Sequence, residues 1–319
     1  MSGTIERPPI VVVEPTPAGP GATGVGEVRR GGWFVRITVL AVVLIWMIPA
    51  LGVLVTSFRD SDLVNTSGWW TALAHPFHAA QWTLENYRQA LDTGGLQNAF
   101  MNSLAVTIPA TVIPITIAAF AAYAFSWMEF RGRFVLFVAV VALLVVPLQM
   151  AVIPILRMFV SGASLFGIRT FPDLDLNGTF LGVWLAHTGF GLPLAVYLLR
   201  NYIGSLPSSI IESARMDGAD HFTIFWRLIV PLSVPALAAF AIFQFLWVWN
   251  DLLVAYVFLG GTKSVQVLTI ALLGLNGSRG ETWELLTSAA FISMALPLVV
   301  FFSLQKYFVR GLTAGSVKG

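Results

Sequence analysis

The chain has 319 residues, no cysteine and a formal net charge of only +2; 57% of its residues are hydrophobic, 11% are charged, and the mean hydropathy is +0.80. That balance lies far outside the range of soluble domains. The small charge argues against a nucleic-acid partner, and the missing thiols exclude disulfides and cysteine chemistry.

Residues 1–32 are rich in Pro, Gly and Val (PPIVVVEPTPAGPGATGVGEVRRGG). They cannot bury enough surface to offset the entropy of ordering, so a disordered tail is expected. It has no apolar core of the kind a cleavable leader carries. Residues 33–319 read as one membrane domain. A spanning helix needs about 20 mainly apolar residues, and six stretches qualify: 33–58, 99–126, 134–156, 178–202, 233–259 and 285–308. Trp33, Trp127, Tyr202 and Tyr307 flank them as interfacial aromatics.

The segment after the first span carries Trp69, Trp70, Trp82 and Tyr87. Within it, WTLENYRQAL predicts a short amphipathic helix with Thr83 as its cap. Pro109, Pro114, Pro147, Pro154 and Pro193 interrupt the next three spans. Each removes a helical hydrogen bond, which lipid tolerates only where neighbours or water take the freed group.

Between spans 4 and 5 lies the longest polar-bearing interval, LPSSIIESARMDGADHFTIFWRLIVP, within a loop over 203–231. It predicts two short helices joined by a tight turn. Pro207 falls in the first turn, and Ile210, Ile211 and Ala214 share a face. Gly218 ends the first helix in a left-handed conformation, and Asp220 caps the second. Phe222, Phe225, Trp226 and Ile229 form an apolar stripe, and Pro231 stops the helix.

The fifth span carries Gln244, Trp247, Asn250 and Asp251. A carboxylate at that depth costs about 2.5–3.5 kcal/mol on insertion scales and needs a partner or water. Gln244, Trp247 and Asp251 read as one helical stripe. Two roles are open: amide, carboxylate and aromatic face meeting a sugar, or a clamp to a neighbouring subunit. His187 in span 4 reads as a packing residue. No G-x-x-x-x-G-K-[ST] or H-E-x-x-H run occurs, so neither a phosphate-binding loop nor a metalloprotease site is supported.

With a cytoplasmic amino terminus, twelve of the 18 Lys and Arg residues fall on the inner side and six on the outer. The bias predicts both termini, and the helix–turn–helix, inside.

Glu212-Ser213-Ala214, three residues, Gly218, nine residues, then Leu228-Ile229-Val230-Pro231 resembles the EAA loop of permease subunits of bacterial ABC importers. That loop reads E-A-A, x3, G, x9, I-x-L-P; Ser213, Leu228 and Val230 depart from it by changes of similar bulk. Thr83, Asn86 and Tyr87, the run Asn102-Ser103-Leu104, the Trp249-Asn250-Asp251 phrase and the tail QKYFVRGLTAGSVKG resemble carbohydrate importers of the maltose/α-glucoside type. The resemblance implies an all-α membrane protein of six transmembrane helices, with a cytoplasmic EAA coupling helix–turn–helix between spans 4 and 5. It implies that Glu212, Ala214, Asp217, Gly218, Ala219 and Pro231 couple to an ATPase, and that Gln244, Trp247, Asn250 and Asp251 line a substrate path. It further implies residence in the bacterial inner membrane bilayer, a sister permease, a cytoplasmic ATPase dimer holding ATP and Mg, an extracytoplasmic sugar-binding protein and an α-glucoside or related oligosaccharide as substrate. The chain itself binds no cofactor on this reading. The alternative is a secondary transporter of small polar solutes. It would be expected to show internal repeats and more membrane carboxylates, whereas Asp251 is nearly alone.

Overall fold

The computed structural model describes residues 32–92, 95–275 and 282–314, with side chains through Lys306. All but the last residue of the tail expected over 1–32, and the last residues of the chain, lie outside this range. The chain divides into two units, Met1–Ala50 and Leu51–Gly319. The first holds the amino-terminal part of helix α1 (Trp33–Ser57), apolar on every face as a span must be.

The second unit begins with three short helices, α2 (Ser61–Thr66), α3 (Trp70–Ala74) and α4 (Glu85–Asp92). Thr83 Oγ1 accepts the Glu85 amide at 3.0 Å, as its position predicts. Asn86, buried, donates to the carbonyls of Ser57 (3.0 Å) and Arg59 (2.8 Å), and the Tyr87 hydroxyl pairs with Ser57 Oγ at 2.8 Å. The Thr83–Asn86–Tyr87 phrase thus fastens α4 to the end of α1.

Next come α5 (Leu96–Trp127), the bent pair α6 (Arg133–Ala142) and α7 (Leu148–Ser161), a hairpin of β1 (Ala163–Leu165) and β2 (Ile168–Phe171), and α8 (Phe180–Ile203). These are followed by α9 (Ser208–Met216), α10 (His221–Ile224), α11 (Val230–Trp249), α12 (Leu253–Leu259), α13 (Leu268–Leu275) and α14 (Trp283–Ala314). Among the described residues, five helices are long and apolar enough to cross a bilayer, or up to six if the bent pair counts as one span. The fold is an all-α membrane bundle, to which the antiparallel hairpin is a minor addition. Its two-residue turn, Phe166 (φ 52°) and Gly167 (φ 80°), has the left-handed geometry that matches strand twist.

One expected span is corrected, and another breaks where its proline predicts. The third is interrupted at Pro147, and α6 and α7 are bent by 109°. Pro147 forces Val146 into an extended conformation (ψ 116°), which no helix passes through. The fifth is one helical rod over His221–Trp249, not 233–259. Pro231 does not stop it, because the residues before it, Phe225–Ile229, form a π turn in which the Val230 amide reaches back to Phe225 O. That wider turn accommodates a residue with no N–H and a ring that would strike the carbonyl four positions back. The rod ends at Asn250 (φ −92°, ψ 2°).

Other prolines leave their helices continuous and create fixed points instead. Pro109 and Pro114 lie inside α5 and cannot bond the carbonyls of Ala105 and Ala110. Trp184 Nε1 of α8 takes Ala105 O at 3.0 Å, and Gln244 Nε2 of α11 takes Ala110 O at 3.1 Å. On α14, Pro297 releases Ser293 O, and Trp249 Nε1 takes it at 3.0 Å. Beyond these struts, α5 and α8 pack closely through Ala118, Ala122 and Ala195. At the start of α5, Asn102 donates to Ser264 O and Gln266 O, each at 3.0 Å, and Ser103 Oγ accepts the Leu268 amide at 2.8 Å. The Asn102-Ser103 pair therefore anchors the approach to α13.

A double-mutant cycle tests the strut. Gln244→Met should lower stability in detergent by about 1 kcal/mol, the scale of a membrane interhelical hydrogen bond. In a Pro114→Ala background, where residue 114 recovers an amide for Ala110 O, the same substitution should cost measurably less. Additive effects would show that Gln244 acts through something else.

Candidate functional site

Two regions carry the polar chemistry of the bundle. The first is the turn between α9 and α10. α9 ends as a Schellman motif: the Ala219 amide donates to Ala214 O and the Gly218 amide to Arg215 O, both at 3.0 Å. Gly218 has φ +81°, and a Cβ there would meet nothing within 4 Å, so the constraint is conformational and not spatial. Asp217 is the C-cap. Asp220 caps α10, its Oδ1 accepting the Thr223 amide at 2.9 Å. Hydrogen bonds from Thr223, side chain first and then backbone, hold the Asp220 carboxyl below the usual carboxylate range, so the cap stays ionised at neutral pH.

The apolar stripe predicted for the second helix divides. Its Phe225 and Ile229 are buried, with Ile211 of α9 and Ile224, against α5 and α8 residues such as Tyr123 and Ile203. Met216 (88% exposed), Phe222 (66%) and Trp226 (47%) face outward, and Glu212 is exposed beside them in sequence. The Tyr123 hydroxyl lies 2.8 Å from His221 Nδ1, and Arg215 Nη2 donates to Trp127 O at 3.0 Å. The turn is therefore pinned to the end of α5 while α10 continues through the π turn into α11. Pro231 belongs to that continuous rod.

The second region is the seam between α8 and the end of α11. Gln244 and Trp247 do form a stripe, and it faces α8. Gln244 is fully buried opposite Gly191, where a Cβ would lie 2.7 Å from its Oε1. The Trp247 ring stands edge-on to His187, with centroids 5.3 Å apart and planes at 88°. His187 Nε2 lies 3.5 Å from Asp251 Oδ2, an ion pair when the imidazole is protonated. Asp251 does not continue the helical stripe, because α11 has already ended. Its Oδ2 accepts the Ala255 amide at 2.9 Å and caps α12, while its carbonyl accepts Thr269 Oγ1 at 2.8 Å. Asn250 is exposed, but its Nδ2 is committed to Leu246 O at 2.7 Å.

Of these four residues, Trp247 lines an open apolar cavity of about 350 Å³, together with Gly189, Phe190 and Pro193 of α8 and Leu144 and Leu148 at the α6–α7 bend. Gln244 is enclosed and serves as an internal strut. His187 is the residue that sequence reasoning passed over. Its signal was available: a single carboxylate and a single imidazole in two apolar spans are each other's natural partners.

The two functions of Asp251 separate under substitution. Asp251→Asn keeps an oxygen for the Ala255 amide and should leave the thermal midpoint of the purified protein nearly unchanged. Asp251→Leu removes the cap and should cost about 1 kcal/mol. Equal midpoints for the two variants would show that the cap contributes nothing.

Residues 114–314 match the family described as the inner membrane component of binding-protein-dependent transport systems. The chain is 57% identical over 284 residues, 89% of its length and 91% of the relative's, to the osmoprotective compounds uptake permease protein GgtD of Synechocystis sp.. It is 43% identical to the alpha-glucoside transport system permease protein AglG of Rhizobium meliloti, covering 90% of this chain and 97% of that one. Its fold matches a chain in the crystal structure of a bacterial ABC transporter involved in import of the acidic polysaccharide alginate. That match has a TM-score of 0.66 at 21% identity and covers 86% of this chain and 95% of the other.

Proposed function

The chain belongs to the family of inner-membrane components of binding-protein-dependent transport systems, as a permease of an ABC importer of the sugar and solute type, and from that premise we propose that it moves an α-glucoside, coupled by its α9–α10 turn to a cytoplasmic ATPase dimer. A multi-pass permease of this family resides in the inner membrane, and it is a transport subunit, not an enzyme.

The observation that carries the coupling reading is the rod over His221–Trp249. At 29 residues it is ~43 Å long, enough to cross a bilayer with its headgroups and hold the α9 turn at one end. The exposed Met216, Phe222 and Trp226 offer an apolar ridge beside Glu212, suited to a groove on the ATPase. Ala214, Asp217, Gly218 and Ala219 set the turn's shape, and Pro231 sits within the rod, next to its π turn. A push on the ridge moves the rod as a lever, and its far end carries Trp247 and the seam with α8. ATP and Mg reside on the partner. A sister permease completes the path, an extracytoplasmic binding protein delivers the solute, and both termini lie in the cytoplasm, as the charge bias supports. The path surface is the Trp247 cavity, whose aromatic wall suits the C–H face of a sugar; Asn250 and Asp251 fix the helix break that follows Trp247.

Substrate class is tested with the assembled complex in proteoliposomes. Uptake of a labelled α-glucoside should be saturable and should be displaced by other α-glucosides, but not by a zwitterionic osmoprotectant such as glycine betaine. The reverse order of competition would replace the α-glucoside with the second reading, a non-sugar osmoprotective solute, which the relative at 57% identity favours.

Coupling is tested at Gly218. Gly218→Val places a β-branched residue at φ +81°, which should misaim α9 while leaving the bundle folded. Membrane abundance should stay normal and uptake should fall roughly five- to thirtyfold, for a strain on the order of 1–2 kcal/mol; wild-type uptake would refute the role. In this cysteine-free chain, Met216→Cys should react with an impermeant maleimide only after cells are opened. Labelling in sealed cells would reverse the orientation.

A further inference from the structure

Arg59, two residues beyond α1, is 1% exposed and heads the fully buried side chains of the protein. Its Nη1 donates to Ser67 O (3.0 Å), and its Nη2 to Ser67 Oγ (2.6 Å) and Thr71 Oγ1 (3.3 Å). Its Nε has no partner. Among the described residues no carboxylate lies within 4.0 Å of the guanidinium. Neighbouring Asp60 turns away, its Oδ1 accepting the Asp62 amide at 3.1 Å. Burial lowers the Arg59 pKa, yet an arginine keeps its charge in water-accessible pH ranges. Hydrogen bonds to neutral oxygens orient that charge without cancelling it, and a buried charge with no counter-ion is costly.

Arg59 lines a pocket of about 380 Å³ with Ser67, Thr71, His75, His78 and Gln81. Its lining holds no acidic side chain. Exposed apolar side chains follow in the same segment: Trp70 (63%), Leu73 (55%) and Phe77 (98%). A buried cation with a free donor, hydroxyls and imidazoles around it, and large apolar groups nearby, has the composition of a socket for a charged anchor at a protein interface.

We propose that this pocket is a carboxylate site, filled by an acidic side chain of the extracytoplasmic binding protein when that protein docks. The inference rests on the importer reading above, which puts residues 59–98 on the outer face. A small free anion would neutralise Arg59 but leave Phe77, Leu73 and Trp70 in water. A protein surface satisfies both, and the unpaired guanidinium steers its approach.

The test uses the whole complex in nanodiscs of neutral lipid, with ATPase activity titrated by its solute-loaded binding protein. Arg59→Gln should raise the half-saturating concentration of binding protein at least about tenfold, since one member of a buried charge pair is lost. Thr71→Asp retains Arg59 and supplies an internal carboxylate, so it guards against a folding defect; it should weaken docking to a similar degree. Sodium acetate, against chloride at equal ionic strength, should raise half-saturation for the unsubstituted complex and not for Arg59→Gln. Unchanged half-saturation in Thr71→Asp, or in an assembled Arg59→Gln complex, overturns the proposal. An Arg59 effect that appears only when anionic lipid is added would assign the site to a lipid phosphate and equally overturn it. If the unsubstituted complex responds to no binding protein, the importer reading itself fails and this inference falls with it.

Discussion

A proline inside a membrane helix releases a carbonyl that has no water to turn to. In this bundle three such carbonyls, on Ala105, Ala110 and Ser293, are taken by Trp184, Gln244 and Trp249 from neighbouring helices. Each acceptor exists only because Pro109, Pro114 or Pro297 is present four residues later. Hydrophobic burial cannot select one helix arrangement over another inside lipid, since tails and side chains are equally apolar. Directional bonds to obligatory acceptors can. They set the register of α5 against α8 and α11, and of α11 against α14, and small residues such as Ala118, Ala122 and Gly191 then allow close approach.

The same demand explains where the helices change course. At Pro147 no side chain among the described residues takes over from the helical pattern, Val146 becomes extended, and the chain turns by 109°. At Pro231 a π turn absorbs the defect and the rod runs on. At Asn250 and Asp251 the helix ends, and both side chains bond to backbone, one to Leu246 O behind and one to the Ala255 amide ahead. Proline produces a strut, a bend or a bulge according to what stands next to it.

These solutions bear directly on transport. The rod over His221–Trp249 runs unbroken from the Asp220 cap, beside the α9 turn, to the Trp247 end. The seam with α8, where His187 meets Trp247 and Asp251, is packed through a buried imidazole–carboxylate contact of 3.5 Å and an edge-on ring contact. Just after α1, Asn86 and Arg59 draw the short helices α2 to α4 into a fixed platform through buried bonds to Ser57 O, Ser67 and Thr71.

Much of this was legible in the residues alone. Membrane character follows from composition. The Gly218 turn, the Asp220 cap and the Thr83 cap follow from local stereochemistry, which needs no partner beyond the next few residues. The resemblance of Glu212–Pro231 to the EAA loop pointed to the family in which the chain is now placed. What sequence periodicity could not decide was which face of the fifth span met what. Gln244, Trp247 and Asp251 have the composition of a sugar site and of a clamp alike; only the tertiary structure turns them toward α8, encloses Gln244, and brings His187, 64 positions away in the chain, to within 3.5 Å of Asp251. It also decided that Pro231 lies within a helix instead of ending one. The physical reason is common to both cases: a polar group's role in lipid depends on which partner reaches it, and those partners come from helices remote in sequence.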